Sequence, residues 1–200
     1  RSTLFPYTTL FRSLELIRKY EEKPISDADL QDIINAGMYA PSGVDFQPWY
    51  YVVIKSRDEM AKVHDIMADV SDNLKDNLHT RFKKHPQVAE ESLKFIKMLG
   101  NAPVVMLVFQ HKKDYTKSES TIIQSIGASI ENMLLSAAAK GIGSCWLTAP
   151  VEGGKANAFR ELYAPDKGKL VALITFGYPA ANPTANPKAP RRKEGRYIII

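Results

Sequence analysis

The sequence contains a single cysteine, Cys145, among its 200 residues. An intramolecular disulfide is excluded, and a lone thiol fits a reducing, cytoplasmic compartment. No apolar run is long enough to cross a bilayer, so neither a transmembrane helix nor a membrane partner is expected. Histidine is scarce. His64, His79, His85 and His111 show no HExxH or other ligand spacing, so no metal site is expected. The nucleophile elbow GxSxG, the P-loop and a GxGxxG after a strand are all missing. No internal repeat is present.

What remains is ordinary globular material. The chain is 44% hydrophobic and 24% charged, enough for one domain with a sizeable core. The formal net charge of +5 is dispersed. The one dense basic cluster is Arg191, Arg192, Lys193 and Arg196. It reads as a solvated tail or as a phosphate site. No recognition motif or aromatic-basic interleaving accompanies it, so no nucleic-acid partner is expected.

The first thirteen residues, RSTLFPYTTLFRS, have neither helical nor strand periodicity and lack the parts of a signal peptide. They resemble translated vector or adapter sequence. Residues 1–13 are therefore expected to be non-native, with a single domain over residues 14–200.

Ser26-Asp27-Ala28-Asp29 has the form of a helix N-cap, and Leu30, Ile33, Ile34 and Met38 then share one helical face. Tyr50 to Ile54 reads as a buried strand. Met60, Val63, Met67 and Val70 predict a second helix. Ser71 to Gln87 is polar and reads as a mobile excursion or lid, followed by a third helix to about Leu99. Val104 to Phe109 is expected to be a central strand. Ile122 to Ala139 is the longest helical pattern, apolar on much of its circumference as at a dimer interface. Ser144 to Leu147 and Leu170 to Phe176 complete the strands, with a helix over Ala156 to Tyr163. After Tyr178 a Pro- and Ala-rich arm leads to a possible last strand at Tyr197 to Ile200. This order predicts an α+β fold in which helices cover both faces of a central mixed or antiparallel sheet.

Two segments combine residues suited to a flat ligand. Ala40 to Trp49 reads Ala-Pro-Ser-Gly-Val-Asp-Phe-Gln-Pro-Trp. Its small residues let a planar group approach the backbone, and Ser42, Asp45 and Gln47 can reach a polar edge. On composition alone an ordinary helix-to-strand loop is the better reading. Gly141 to Gly154 follows a helix, forms a strand and ends in Pro150-Val151-Glu152-Gly153, where sheet folds tend to place ligands. Cys145 within it reads as a buried, inert thiol.

The APSG-x-D-x-QPW stretch, the GIGSCW stretch followed by Pro-Val-Glu-Gly, and Ile17-Arg18-Lys19-Tyr20 resemble, in order and spacing, segments of the nitroreductase family. The resemblance covers roughly Ile17 to Arg192. It implies a nitroreductase-like three-layer fold, an intertwined homodimer, and FMN bound between subunits. It places Arg18 at the pyrimidine edge or ribityl chain of the flavin. Ser42, Gly43 and Asp45 would line the phosphate and ring region, with Gln47 and Trp49 nearby. Pro150 belongs to the same turn as Glu152 and Gly153, whose amides would face flavin N5. Arg191 and Arg192 would reach the phosphate. No catalytic side chain is implied, because flavin N5 carries the chemistry. The implied reaction is ping-pong transfer of a hydride from NAD(P)H through FMN to a small aromatic acceptor, such as a nitroaromatic or quinone.

Three departures from the family pattern stand out. Leu14-Glu15-Leu16 stands where Arg-Arg-Ser is usual, Asp45 replaces an asparagine, and Ser125 replaces an acidic residue ahead of Gly127. The alternatives are a reductive dehalogenase or flavin-fragmenting enzyme of the same fold, and a non-catalytic flavin-binding protein.

Overall fold

An antiparallel sheet is built from β1 (Trp49–Ile54), β2 (Val104–Gln110), β3 (Gly143–Leu147) and β4 (Leu170–Gly177), in the order β1-β2-β4-β3. The computed structural model describes residues 17–115, 118–181, 196 and 198. Strand β2 is central, and all of its residues are buried. Its uninterrupted apolar sequence follows from this position, because alternate side chains enter two different cores. Val104, Met106 and Val108 enter one core, and Val105, Leu107 and Phe109 the other. In β4, Leu170 lies opposite Phe109 and Ala172 opposite Val108. Val171 is therefore an extra residue, a bulge that keeps both halves of the strand in register.

Among the described residues, six helices pack around the sheet: α1 (Asp27–Met38), α2 (Arg57–Arg81), α3 (Pro86–Met98), α4 (Glu119–Ala139), α5 (Ala149–Glu152) and α6 (Ala156–Tyr163). One face is covered by α1 and α4, through Leu30, Ile33, Ile122, Ile126, Ile130 and Met133. The other is covered by α2, α3 and α6, through Val63, Met67, Val70, Leu74, Ile96 and Phe159. The three-layer α+β arrangement agrees with the expectation, and the sheet is antiparallel throughout.

Local chemistry accounts for the helix starts. Ser26 Oγ accepts the Asp29 amide at 3.0 Å, and Ser56 Oγ accepts the Glu59 amide at 3.3 Å. Lys140 Nζ, just past α4, donates to Asp29 at 3.0 Å and to Asp32 at 2.7 Å. Helix α4 is thereby tied to the start of α1.

Three expectations need correction. The polar segment after Val70 is not an excursion, because α2 continues unbroken to Arg81 and spans 25 residues. It is therefore longer than α4, which spans 21. No glycine or proline falls between Arg57 and His85 to stop the helix. Val70, Leu74 and partly buried Leu78 continue one apolar stripe, while the polar residues face outward. Ser71 is buried and donates to the Leu93 carbonyl at 3.1 Å, which fastens α2 to α3. Strand β1 lies at the sheet edge, and its four middle residues are only half-buried. Met38, at the end of the helical face that carries Leu30 and Ile33, is 46% exposed. The expected C-terminal arm lies almost wholly outside the described residues, as do the last strand and residues 1–13. The start of that arm is described: Tyr20 forms a bridge with Pro179, and the Ala180 amide donates to the Lys19 carbonyl at 3.0 Å.

Candidate functional site

The loop from Ala40 to Trp49 is braced by its own side chains. Gln47 donates through its amide to Ser42 Oγ and through Nε2 to Asp45 Oδ1, both at 3.0 Å. A short 3-10 turn covers Gly43–Asp45. Val44, Asp45 and Gln47 have φ of 56°, 55° and 46°. A left-handed residue with a Cβ costs about 1 kcal/mol or more, so the loop is held by its surroundings. The main support is α4. The Gly43 amide donates to Ser125 Oγ at 3.0 Å, and Ser125 Oγ donates to the Thr121 carbonyl at 2.8 Å. A Cβ on Gly43 would lie 2.5 Å from Thr121 Cγ2, so any larger residue there must displace the Thr121 side chain. Val44, at 75% exposed, and Phe46, at 36%, project outward beside the polar residues.

The second segment turns directly out of β3 into α5. The Glu152 amide donates to the Thr148 carbonyl at 3.0 Å and the Gly153 amide to the Ala149 carbonyl at 2.8 Å. Both N–H groups expected to face the flavin therefore close the turn itself. Thr148 Oγ1 donates to Glu152 Oε1 at 2.6 Å. Asn73 of α2 donates to the Gly153 carbonyl at 2.9 Å, and a Cβ on Gly153 would meet Val70 Cγ1 at 2.9 Å. The turn thus rests on α2, and Pro150 within it is buried.

Arg18 belongs to the same layer. Its backbone is clamped: the Ile17 amide donates to the Ser144 carbonyl at 3.0 Å, and a Cβ on Gly100 would stand 2.3 Å from the Arg18 carbonyl oxygen. Gly100 also has φ +62°, a conformation natural to glycine. The guanidinium lies 5.7 Å from the Phe95 ring centroid, and its positive charge bears on the Cys145 thiol. Burial pushes that thiol up to about 11, with Arg18 pulling the other way. Cys145 is 4% exposed and neutral at ordinary pH. The expectation of a buried thiol is met, but its neighbour is a cation. Tyr20 hydroxyl donates to the Ile17 carbonyl at 2.7 Å and pairs with Thr175 Oγ1 at 2.7 Å. Burial raises its pKa well above the ordinary tyrosine value.

The two segments lie on opposite faces of the sheet. Ser42 to Gln47 docks on α4, in the layer of Ile122 and Ile126. Pro150 to Gly153 docks on α2, in the layer of Val70, together with Phe95 and Cys145 beside Arg18. Both leave the sheet at the same end, since Trp49 begins β1 opposite Gln110 and Leu147 ends β3 opposite Leu173. Arg191 and Arg192 lie outside the described residues.

Two open depressions, of about 460 and 450 Å3, run along β1 and the start of α2 past Lys55, Ser56 and Met60 or Tyr163. Neither includes a residue of the two segments or Arg18. The site chemistry therefore lies on surfaces and not in these hollows. Among the described residues, no group of three or more His, Cys, Asp or Glu side chains is placed to hold a metal ion. None of the described helices is long and apolar enough to cross a membrane.

Sequence reasoning missed several supports of these segments. Asn73, Phe95 and Gly100 carried no recognisable signal. Ser125 was visible only as a departure from an acidic position, and the structure gives it the role of holding the Gly43 amide.

Comparison with known proteins identifies the family. Residues 15–178 match the family model described as Nitroreductase family. A protein from Archaeoglobus fulgidus, named by unverified assignment as an NADH dehydrogenase/NAD(P)H nitroreductase, is 29% identical over 164 residues, covering 82% of this chain and 79% of that protein. The iodotyrosine deiodinase of Hydra vulgaris is 29% identical over 174 residues, covering 83% of this chain and 62% of the deiodinase. A crystal structure from Desulfovibrio desulfuricans, assigned by name as a nitroreductase in complex with FMN, superimposes with a TM-score of 0.69. It is 26% identical in sequence, with 98% of this chain and 96% of that one covered.

Proposed function

Because the chain belongs to the nitroreductase family, we propose that it is an oxidoreductase that uses FMN to move a hydride from NAD(P)H to a small aromatic acceptor, such as a nitroaromatic or quinone. The observation that carries the reading is the placement of the two motif segments on opposite faces of one sheet. A ring touched by both takes Arg18 and Pro150 to Gly153 from one subunit and Ser42 to Gln47 from another. We therefore include a homodimer in the proposal. Exposed Ile123 on α4, at 39%, and exposed Tyr39, at 87%, are apolar surface that a second copy would cover.

The chemistry of the donor set fits FMN. When bound, FMN supplies the hydride chemistry at its N5 position. Arg18 brings a permanent positive charge, which favours an anionic flavin edge. Ser42 Oγ already accepts from the Gln47 amide, which leaves its O–H to donate outward. Asp45 orients the Gln47 carboxamide, and Gly43 lets the loop backbone lie close against Thr121 of α4. Val44 and Phe46 supply apolar surface next to these groups. Glu152 and Gly153 remain the residues assigned to the N5 edge. Their amides must share their turn hydrogen bonds or open that turn to donate there. The phosphate contact assigned to Arg191 and Arg192, and a cytoplasmic location, complete the reading.

An absorbance spectrum of the protein with FMN, before and after anaerobic NADH or NADPH, tests the proposal. A bound-flavin spectrum that bleaches on adding nicotinamide is expected. Absence of bound flavin with FMN in excess would overturn it. A second reading, reductive dehalogenation, is favoured by the identity with the Hydra deiodinase. Iodide release from an iodinated phenol, at a rate exceeding nitroaromatic reduction, would select it.

A further inference from the structure

In a polar excursion, the charges between His79 and His85 would be spread through solvent. As the end of an unbroken helix they are carried to one place. Helix α2 ends at Arg81, and Phe82 to His85 form a tight turn into α3, closed by the His85 amide on the Phe82 carbonyl at 2.7 Å. Arg81, Lys83 and Lys84 are exposed at this tip. Among the described residues none of the three pairs with a carboxylate, and the Arg81 guanidinium lies 5.8 Å from the Phe82 ring centroid instead. No acidic residue falls between Asp76 and Glu90, and Glu90 is taken by His79 at 2.7 Å. The dipole of α2 calls for some positive charge here, but it amounts to about half a unit, less than three cations supply.

The tip also lies in the direction a donor must take. Strand β1 runs away from the motif end of the sheet, from Trp49 to Ile54, and α2 returns toward that end. Beside the Pro150–Gly153 turn it contributes Asn73, which donates to the Gly153 carbonyl at 2.9 Å, and Val70, which would meet a Cβ on Gly153. From Asn73 it runs on to Arg81, about 12 Å at 1.5 Å per residue. A dinucleotide with its nicotinamide at the N5 edge carries its pyrophosphate and second ribose away from the ring over a span of this order.

Resting on the FMN reading, we propose that the tip between α2 and α3 binds the 2′-phosphate of the electron donor through Arg81, Lys83 and Lys84, so that the protein draws on NADPH in preference to NADH. A phosphate monoester brings close to two negative charges at neutral pH and three acceptor oxygens. A guanidinium and two ammonium groups match it in sign and in donors. NADH presents only a ribose hydroxyl at that position, which gains little from three cations.

The test compares the two donors on the full, FMN-loaded chain, following anaerobic flavin reduction by absorbance. The parent protein should show a kcat/KM for NADPH at least about tenfold above that for NADH. The triple variant Arg81→Gln/Lys83→Gln/Lys84→Gln should lose about ten- to a hundredfold with NADPH, the range of charge-assisted hydrogen bonds, and no more than about threefold with NADH. Lys83→Arg/Lys84→Arg, which keeps the charge, should retain the preference. Equal use of the two donors by the parent, or equal losses for both in the triple variant, would overturn the proposal. A readout without turnover separates this from the functional reading. Adenosine 2′,5′-bisphosphate, which carries no nicotinamide, is titrated into the full chain in the presence of FMN, with adenosine 5′-monophosphate as the control. The amide resonances of Arg81 to His85 should move with the bisphosphate at about tenfold lower concentration than with the monophosphate. If the bisphosphate leaves them in place, the proposal fails even when a nicotinamide bleaches the flavin. If it moves them and no flavin binds, the phosphate site stands, while the oxidoreductase reading fails and the donor role falls with it.

Discussion

Ser125 Oγ accepts from the Gly43 amide at 3.0 Å across 82 positions of sequence and donates its own O–H to the Thr121 carbonyl at 2.8 Å. One hydroxyl therefore joins the first motif segment to the helix beneath it. Replacing Ser125 with alanine leaves a partly buried N–H without its acceptor. The expected cost is about 1 kcal/mol, read as a lower denaturant midpoint with an unchanged slope. FMN affinity should fall with it, because the loop loses its support.

Gly43 and Thr121 make a more pointed pair. Gly43→Ala places a methyl group 2.5 Å from Thr121 Cγ2, and overpacking of this kind costs about 1–3 kcal/mol. Thr121→Ser removes the offending methyl. The double variant should recover most of the lost stability, as measured by thermal unfolding. If it is no more stable than Gly43→Ala alone, the contact is not the reason for the glycine.

Gly100→Ala should be worse than an ordinary glycine replacement. The new Cβ meets the Arg18 carbonyl oxygen at 2.3 Å, and the backbone is at φ +62°. A loss of about 2 kcal/mol or more is expected, with faster amide exchange at Ile17 and Tyr20. Gly141→Ala is a control: its φ is +71°, but a Cβ there meets nothing within 4 Å. It should show only the conformational penalty, about 1 kcal/mol.

The Cys145 thiol also makes stability depend on alkaline pH. Its ordinary value of 9.0 is pushed to about 11 in the folded chain. Between those values the unfolded chain loses this proton and the folded chain keeps it. The folded state then binds more protons, so stability falls as pH rises through this window. The contribution is complete below pH 9 and gone above about 11. Two units correspond to at most about 2.7 kcal/mol. Tyr20, raised in the same direction, adds to the fall at the upper end. Urea midpoints at pH 8 and pH 10 should therefore differ less in Cys145→Ala than in the parent chain. An equal difference would place the thiol outside the buried layer.

The sequence made some elements plain because their signals are local. Ile122, Ile126, Ile130, Met133, Leu134 and Ala137 fall on one face of α4 and are all buried. The Ser26 cap and the buried run of β2 were visible for the same reason. The second half of α2 was not, because its apolar stripe thins to Leu74 and Leu78 among charged neighbours. There, tertiary packing on α3 decides what composition leaves open. The motif segments stood out through family resemblance, and their supports did not. Phe95, Gly100 and Ser125 act through contacts with residues 77 to 82 positions away, which no periodicity encodes.

The division of the motif segments between the two faces has a thermodynamic consequence. In a site assembled from two chains, the small molecule bridges the partners and belongs to neither. Its uptake should then depend on the concentration of the protein itself, weakening on dilution as pairs come apart. By linkage, saturating the protein with it should in turn tighten the association of the chains.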